Sequence, residues 1–304
     1  MMRTLILAVA LMLGSPGFAQ AADKPGRTMV PVVAGAAVTV RPDKAYILFR
    51  TRRALARTGI EPVLLRVPSD EEMTRYDAAR RAAFVLAEPK LRADRAKVLA
   101  RKAAADAAHK AFKDTVPPEP TVDNFSFAWD GAVNLENVDD GKPYVKAEPE
   151  QAYLVEAVPG DYVLYGASFG AGLFKPGLHV CFCLGTVGFT ARAGEITDLG
   201  TWLGDVVKAR SNIPEIAPES EFGPSSDPFL VLIGATVQPP VAGQAIPAGI
   251  PPSAVKPAEF RAVGRFFNPG AMGVNRLVGV PGVLGYDRGR VIDLRTGQPV
   301  PDVE

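Results

Sequence analysis

His179-Val180-Cys181-Phe182-Cys183 places an imidazole and two thiols on alternate residues. A strand has a period of two, so the three would share one face while Val180, Phe182 and Leu184 take the other. Two thiolates and an imidazole on one face form a ligand set for Cu(I) or Zn(II). Cysteine is also a small, deeply buried core residue. A Cys181–Cys183 disulfide is the third reading, favoured by an oxidising compartment and opposed by an extended backbone. The sequence leaves all three open. Gly185 bears on the choice, because Val187, Phe189 and Ala191 are out of phase with Val180 and Phe182. A bulge at Leu184–Gly185 would keep both apolar sets on the core face and leave the thiols on the outer one. Without it, Cys181 and Cys183 join Val187 and Phe189 in the core.

Gly166-Ala167-Ser168-Phe169-Gly170 matches the Gly-x-Ser-x-Gly pattern of a nucleophile elbow and follows a strand-like run. That chemistry needs a histidine to take the serine proton, and in α/β-hydrolases it comes late, after an acid. The two histidines do not fit: His109 precedes the serine, and His179 follows it by eleven residues. No Gly-Lys-Ser/Thr follows the glycines, so they do not cradle a phosphate. Asp139-Asp140 and Glu148/Glu150 lie in loop-like sequence without a matched base, and the former lacks the alternating acids of a calcium loop. No catalytic or cofactor-binding residue is assigned.

The elements around these motifs are mostly strands. Residues 44–50, rich in aromatic and β-branched residues, lie between Pro42 and a basic patch (Arg50, Arg52, Arg53), and a second short run over 62–67 is closed by Pro68. Residues 153–158, 162–165, 178–184, 186–193 and 196–202 form the densest β block, with Pro159-Gly160-Asp161 as a turn. Between them, residues 69–114 change character. Ser69-Asp70-Glu71-Glu72 is a capping box, and Ala-rich, charge-rich sequence follows with one proline, Pro89. This spacing predicts two helices, 70–87 and 90–113, broken or kinked at Pro89. The segment carries eleven Lys/Arg and eight Asp/Glu, so it is a solvated face or an interaction arm. Residues 125–129 add a strand signal. Residues 209–228 form a linker or long loop, and 229–304 a Pro/Gly-rich C-terminal β region of short strands.

Location is the clearest functional signal. Met1-Met2-Arg3, an apolar run from Thr4 to Leu13 and Ala19-Gln20-Ala21 have the layout of a secretory signal peptide ending at residue 21. The apolar run is too short to span a bilayer, and no later segment in the sequence supplies about 20 apolar residues. The expected mature chain, starting at Ala22, is periplasmic or secreted. The 34 Lys+Arg against 33 Asp+Glu lack the basic excess of a nucleic-acid-binding domain. Two cysteines exclude a multi-disulfide scaffold.

Three features together carry a resemblance. These are the strand Tyr46-Ile47-Leu48-Phe49-Arg50, the Pro159-Gly160-Asp161-Tyr162 turn, and the edge Phe189-Thr190-Ala191-Arg192-Ala193-Gly194-Glu195. Over residues 38–67 and 150–204 the chain resembles the transthyretin-like, or prealbumin-like, β-sandwiches of bacterial envelope proteins of unknown function. The resemblance implies a sandwich fold and an envelope location, and no catalytic residues. The helical insertion and the last hundred residues have no counterpart in it. The expectation is therefore a mainly β protein: an antiparallel β-sandwich over 22–208, interrupted by two helices within 69–114, then the C-terminal β region. Its expected role is a non-catalytic envelope module that binds a protein or cell-wall partner, with a metal-handling protein using His179, Cys181 and Cys183 as the alternative.

Overall fold

The computed structural model describes residues 29–33, 35–52, 60–127, 129, 135–137, 143–146, 150–169, 179–206, 234–267 and 273–303. The signal peptide, the 209–228 linker, Asp139, Asp140 and Glu148 lie outside them. The elements run β1 (Met29–Pro31), β2 (Ala45–Arg52), β3 (Ile60–Arg66), α1 (Asp70–Ala107), β4 (Leu135–Asn137), β5 (Val145–Lys146), β6 (Glu150–Ala157), β7 (Gly160–Phe169) and β8 (His179–Cys181). Then come β9 (Thr186–Ala191), β10 (Ile196–Val206), β11 (Gly234–Gln238), β12 (Val255–Pro257), β13 (Arg261–Val263), β14 (Gly273–Val274), β15 (Leu284–Asp287), β16 (Arg290–Asp293) and β17 (Gln298–Pro299). Strands predominate, as expected.

They form two large sheets and a small one. The first has the order β1-β6-β2-β10-β11, with β5 on β6 and β12 on β10. The second has the order β13-β9-β7-β3-β4, with β8 on β7 and β14 on β8. Strands β15-β16-β17 make the third. Most pairs are antiparallel, but β10 runs parallel to both β2 and β12, and β14 parallel to β8. The expectation of a purely antiparallel arrangement is corrected there. Strands β6 and β7, though joined by the tight turn at Val158–Pro159, belong to different sheets. The Tyr162 hydroxyl donates to the Val158 carbonyl at 2.6 Å and closes that crossover.

One core lies between the two large sheets. Ile47, Phe49, Val155 and Trp202 of the first meet Leu64, Leu164, Val187 and Phe189 of the second. Leu277, Val280, Leu284 and Val291 of the C-terminal region belong to the same cluster. With β11 to β14 also paired into the large sheets, residues 234–303 are interleaved with the rest. Strand β2 is apolar at every position from Ala45 to Phe49 because both its faces are covered. Tyr46 and Leu48 face outward into a second cluster with Leu154, Ile196, Tyr144 and Ile250.

Arg50 continues that outward parity, as Asp198 does on β10. Both are buried, at 4 % exposure each. Arg50 Nη1 donates to both Asp198 carboxylate oxygens, at 2.8 and 3.0 Å, and Nη2 to the Ala245 carbonyl at 3.2 Å. Asp198 also accepts from the Gly200 amide at 2.8 Å. The β2–β10 register slips between Asp198 and Thr201. Gly200 sits in that bulge with φ +81, where a Cβ would collide with the Gln238 carbonyl.

Helix α1 is a single element of 38 residues, which corrects the two-helix expectation. The capping box forms as read: the Glu72 amide donates to Ser69 Oγ at 3.2 Å, and the Ser69 amide to Glu72 Oε2 at 2.8 Å. Pro89 removes only the bond to the Val85 carbonyl. It does so on a solvent-facing side, Val85 being 66 % exposed, so water can satisfy that oxygen. The helix stops at Ala107 because His109 adopts a left-handed φ of 49. The His109 amide donates to the Asp106 carbonyl and the Lys110 amide to the Ala105 carbonyl, a Schellman closure.

Removing one partner of the Arg50–Asp198 pair strands the other charge. Asp198→Ala is expected to cost about 3–5 kcal/mol. The Arg50→Leu/Asp198→Ala double variant should lose less than the sum of the two single variants in urea unfolding. Strictly additive losses would show that the pair is uncoupled.

Candidate functional site

The cysteines are joined. Cys181 and Cys183 form a disulfide with Cα atoms 5.1 Å apart. In a strand, residues two apart stand about 6.6 Å apart, so the chain contracts here. It can do so because β8 ends at Cys181, and a turn through Cys183 and Leu184 replaces the extended backbone. That turn also resolves the phase question. Phe182, Val187 and Phe189 all lie in the core between the sheets, while Cys181 and Cys183 sit on the outer face of the second sheet with Val63 and Tyr165. Both cysteines are buried there, Cys181 fully.

The C-terminal region covers them. The Cys181 carbonyl accepts from the Asn275 amide at 2.7 Å, and the Cys183 carbonyl from the Phe266 amide at 3.0 Å. Phe266 packs on Tyr165 with ring centroids 6.0 Å apart. Burial raises the Tyr165 hydroxyl above its ordinary pKa. In this state neither sulfur is a thiolate. The His179 side chain lies outside the described part of the structure, so of the three metal-ligand candidates only the sulfur atoms are placed.

Ser168 lies inside β7, with Glu61 of β3 opposite it on one side and His179 of β8 on the other. Its hydroxyl is buried and has no partner among the described residues. A nucleophile elbow presents its serine at an exposed turn, whereas Ser168, next to last in β7, is 1 % exposed and paired into the sheet on both sides. His109, at the C-terminus of α1, caps the helix. Between the large sheets a void of about 10 Å³ is lined by Phe49, Leu64, Leu164, Leu199, Trp202 and Val237. It has room for about one water. Among the described residues, no three His, Cys, Asp or Glu side chains are grouped to hold a metal ion.

The other candidate surface is the arm built on α1. Phe84 is the helix's buried residue. What covers it comes from residues 110–129, which return along the helix in reverse order. Arg101 pairs with Asp114 at 2.8 Å, Arg95 and Arg92 with Glu119, and Arg80 donates to the Asp123 carbonyl at 2.7 Å. Phe125 packs on Phe84 at 5.6 Å, and Phe127 and Trp129 on Tyr76 at 5.9 and 5.7 Å. The alternating aromatics that read as a strand are therefore a strap on one helix face. The strap is the feature missed from the sequence, and the signal for it was that same alternation beside a helix with apolar residues on one side.

At the arm's base, Arg66 of β3 donates twice to Glu72, at 2.9 and 2.5 Å. Those bonds, with the Ser69 amide, hold the Glu72 carboxyl down to about 2 from an ordinary 4.5. The charge along the arm is segregated. Residues 69–88 carry three bases and five acids, and 89–114 carry eight bases and three acids. Among the described residues no helix is long and apolar enough to cross a membrane. No family model, curated protein or solved structure matches this chain.

Two outcomes follow. Glu72 stabilises the fold while it is ionised, so its contribution is complete above about pH 4.5 and is lost as pH falls toward 2. Its size is on the order of 2 kcal/mol. Acid unfolding of Glu72→Gln should lack this component, and identical profiles for the two proteins would remove the assignment. The disulfide closes a loop of three residues, worth about 1.6 kcal/mol of chain entropy. Denatured, unreduced protein should weigh two hydrogens less than the reduced chain. It should take up Zn(II) or Cu(I) through these sulfurs only after reduction, as read by native mass spectrometry with Cys181→Ser as control.

Proposed function

We propose that this chain is an exported, non-catalytic module of the cell envelope, with the arm as its partner-binding element. The two facing sheets are read as a β-sandwich of transthyretin-like type that serves as a scaffold. The observation that carries this reading is the arm itself. A 38-residue helix buries one of its own residues and rests on its own strap. It therefore contributes little to the core and presents most of its circumference to solvent. A helix that adds so little to folding is best explained by what it presents.

Three further features agree. The leader-like residues 1–21 point to export, to the periplasm or the medium. The near-balanced charge of 34 bases and 33 acids argues against nucleic acid as the partner. The strand and turn motifs that resemble transthyretin-like envelope proteins suggest the same compartment. The partner is a protein or a cell-wall component.

A photo-crosslinking residue in place of Leu86 tests this reading. It should give an adduct in envelope preparations that unlabelled protein competes away, whereas the same probe at exposed Lys256 should not. The mature chain should begin at Ala22 in the periplasm or medium. Equal labelling from both positions, or a chain that keeps residues 1–21 in the cytoplasm, would remove the proposal.

A further inference from the structure

The buried disulfide lies beneath a thin cover. Cys181 is 0 % exposed and Cys183 3 %. The cover is formed by residues 264–267 and 273–277 of the C-terminal region. Of these only Gly264 and Leu277, at its two ends, are buried, while Phe267 and Val274 stand 86 and 57 % exposed. Phe266 reaches inward, onto Tyr165. A segment with so few buried apolar contacts opens at low free-energy cost. Its outer edge is pinned at the surface. The Val303 amide donates to the Arg265 carbonyl at 2.7 Å, and Arg265 pairs with Asp302 at 2.6 Å, both side chains about half exposed.

This cover is fitted to the oxidised turn. Besides the bonds to the Cys181 and Cys183 carbonyls, the Leu184 amide donates to the Asn275 carbonyl and the Leu277 amide to the Gly185 carbonyl, each at 3.0 Å. These bonds are set to a chain in which Cys181 and Cys183 stand 5.1 Å apart at Cα. An extended chain would place them about 6.6 Å apart. Two free thiols also need more room than one bonded pair, and a close-packed interior has none to give. Inward relief is closed, because β8 lies so tightly on β7 that a Cβ at Gly166 would collide with the Val180 carbonyl. The side that can yield is the cover.

We propose that the Cys181–Cys183 disulfide and this cover form a redox lock. Oxidised, the turn seats the cover; closed, the cover shields both sulfurs from thiols in solution. A dithiol reductant therefore reacts only with the opened form. Its thiolate attacks the sulfur of Cys183, the one nearer the surface, forming a mixed disulfide and releasing the Cys181 thiolate. Its second thiol then displaces Cys183. The protein gains two electrons and two protons, and the reductant leaves as its cyclic disulfide. The contracted spacing is then no longer enforced, the cover comes away, and the face carrying Val63 and Tyr165 is uncovered. The coupling is reciprocal: the factor by which the disulfide favours closure is the factor by which closure favours the disulfide. The lock involves neither the arm nor its partner, so it stands apart from the binding-module reading.

Dithiothreitol on the native full chain, quenched with a maleimide and read by intact mass, tests the lock. Reduction should run at least about 100-fold slower than in the urea-unfolded chain, since the sulfurs react only through an opening. Phe266→Ala, which removes the packing on Tyr165, should speed it about tenfold. Lys97→Ala, on the arm, should leave the rate unchanged. In the reduced protein the amides of Phe266, Asn275 and Val303 should lose hydrogen-exchange protection, while those of Ile47 to Phe49 keep it. Native reduction as fast as in the unfolded chain, Phe266→Ala without effect, or unchanged protection at Phe266 and Asn275 after reduction overturns the lock. So does loss of protection at Ile47 to Phe49 as well, which would make the disulfide a requirement of the whole fold.

Discussion

The outer layer of the first sheet is organised around one buried ion pair. Arg50 and Asp198 come from the two parallel central strands, 148 residues apart in sequence. Isolated, either charge would be costly in that environment, and the pair is tolerable because its hydrogen-bonding capacity is used. The guanidinium takes both carboxylate oxygens and the Ala245 carbonyl, and the carboxylate also takes the Gly200 amide. The backbone carbonyl of Asp198 accepts from Ala258 at 2.8 Å as the chain leaves β12. The pair thus holds β2, the bulge in β10, the 239–250 loop and the start of the C-terminal region. From Ala258 the chain reaches Phe266, which covers the disulfide. The position of the outer cover over Cys181 and Cys183 depends on that anchor.

What could be read from the sequence follows the range of the interaction. The capping box was legible because its four residues interact with one another. The β block was legible because period-two patterning survives whatever the partner strand is. The parallel pairing of β2 with β10 was not legible, since strands so far apart in sequence leave no local trace of their register. The turn at Pro159-Gly160-Asp161 was legible, but the crossover was not, because a Pro-Gly turn does not say whether the next strand returns to the same sheet. Pro89 misled for a physical reason. The cost of a proline in a helix depends on whether the freed carbonyl can reach water, and that is a property of the folded arm.

The disulfide shows the same contrast in miniature. Alternation put His179, Cys181 and Cys183 on one face of an assumed strand, and on that assumption the disulfide was geometrically opposed. The strand in fact ends at Cys181. Gly185, at φ +141, lies where a side chain would meet the Tyr286 ring and Val291. It lets the chain turn there. A loop of three residues restricts the unfolded chain little, so the cross-link acts mainly by position. It holds the carbonyls of Cys181 and Cys183 where the Asn275 and Phe266 amides reach them. The two cysteines among the candidate metal ligands are, in this state, the seat of the C-terminal cover.

The arm poses the opposite question, since it is stable with almost nothing buried. Its alanines give it intrinsic propensity, the capping box and the Schellman closure satisfy its ends, and Glu88–Arg92 is an acid-first pair at the favourable spacing. Lys102–Asp106 has the less favourable base-first order, so surface pairs alone do not explain the distal half. The strap does more. Phe125, Phe127 and Trp129 cover apolar area on the proximal half, and Glu119 binds two arginines near the middle. Beyond Arg101, the last such tie, the helix depends on propensity and its cap. In that last stretch Lys102 and Asp106 offset each other, so its hold on the helical form rests on its alanines and on the closure made by the His109 and Lys110 amides.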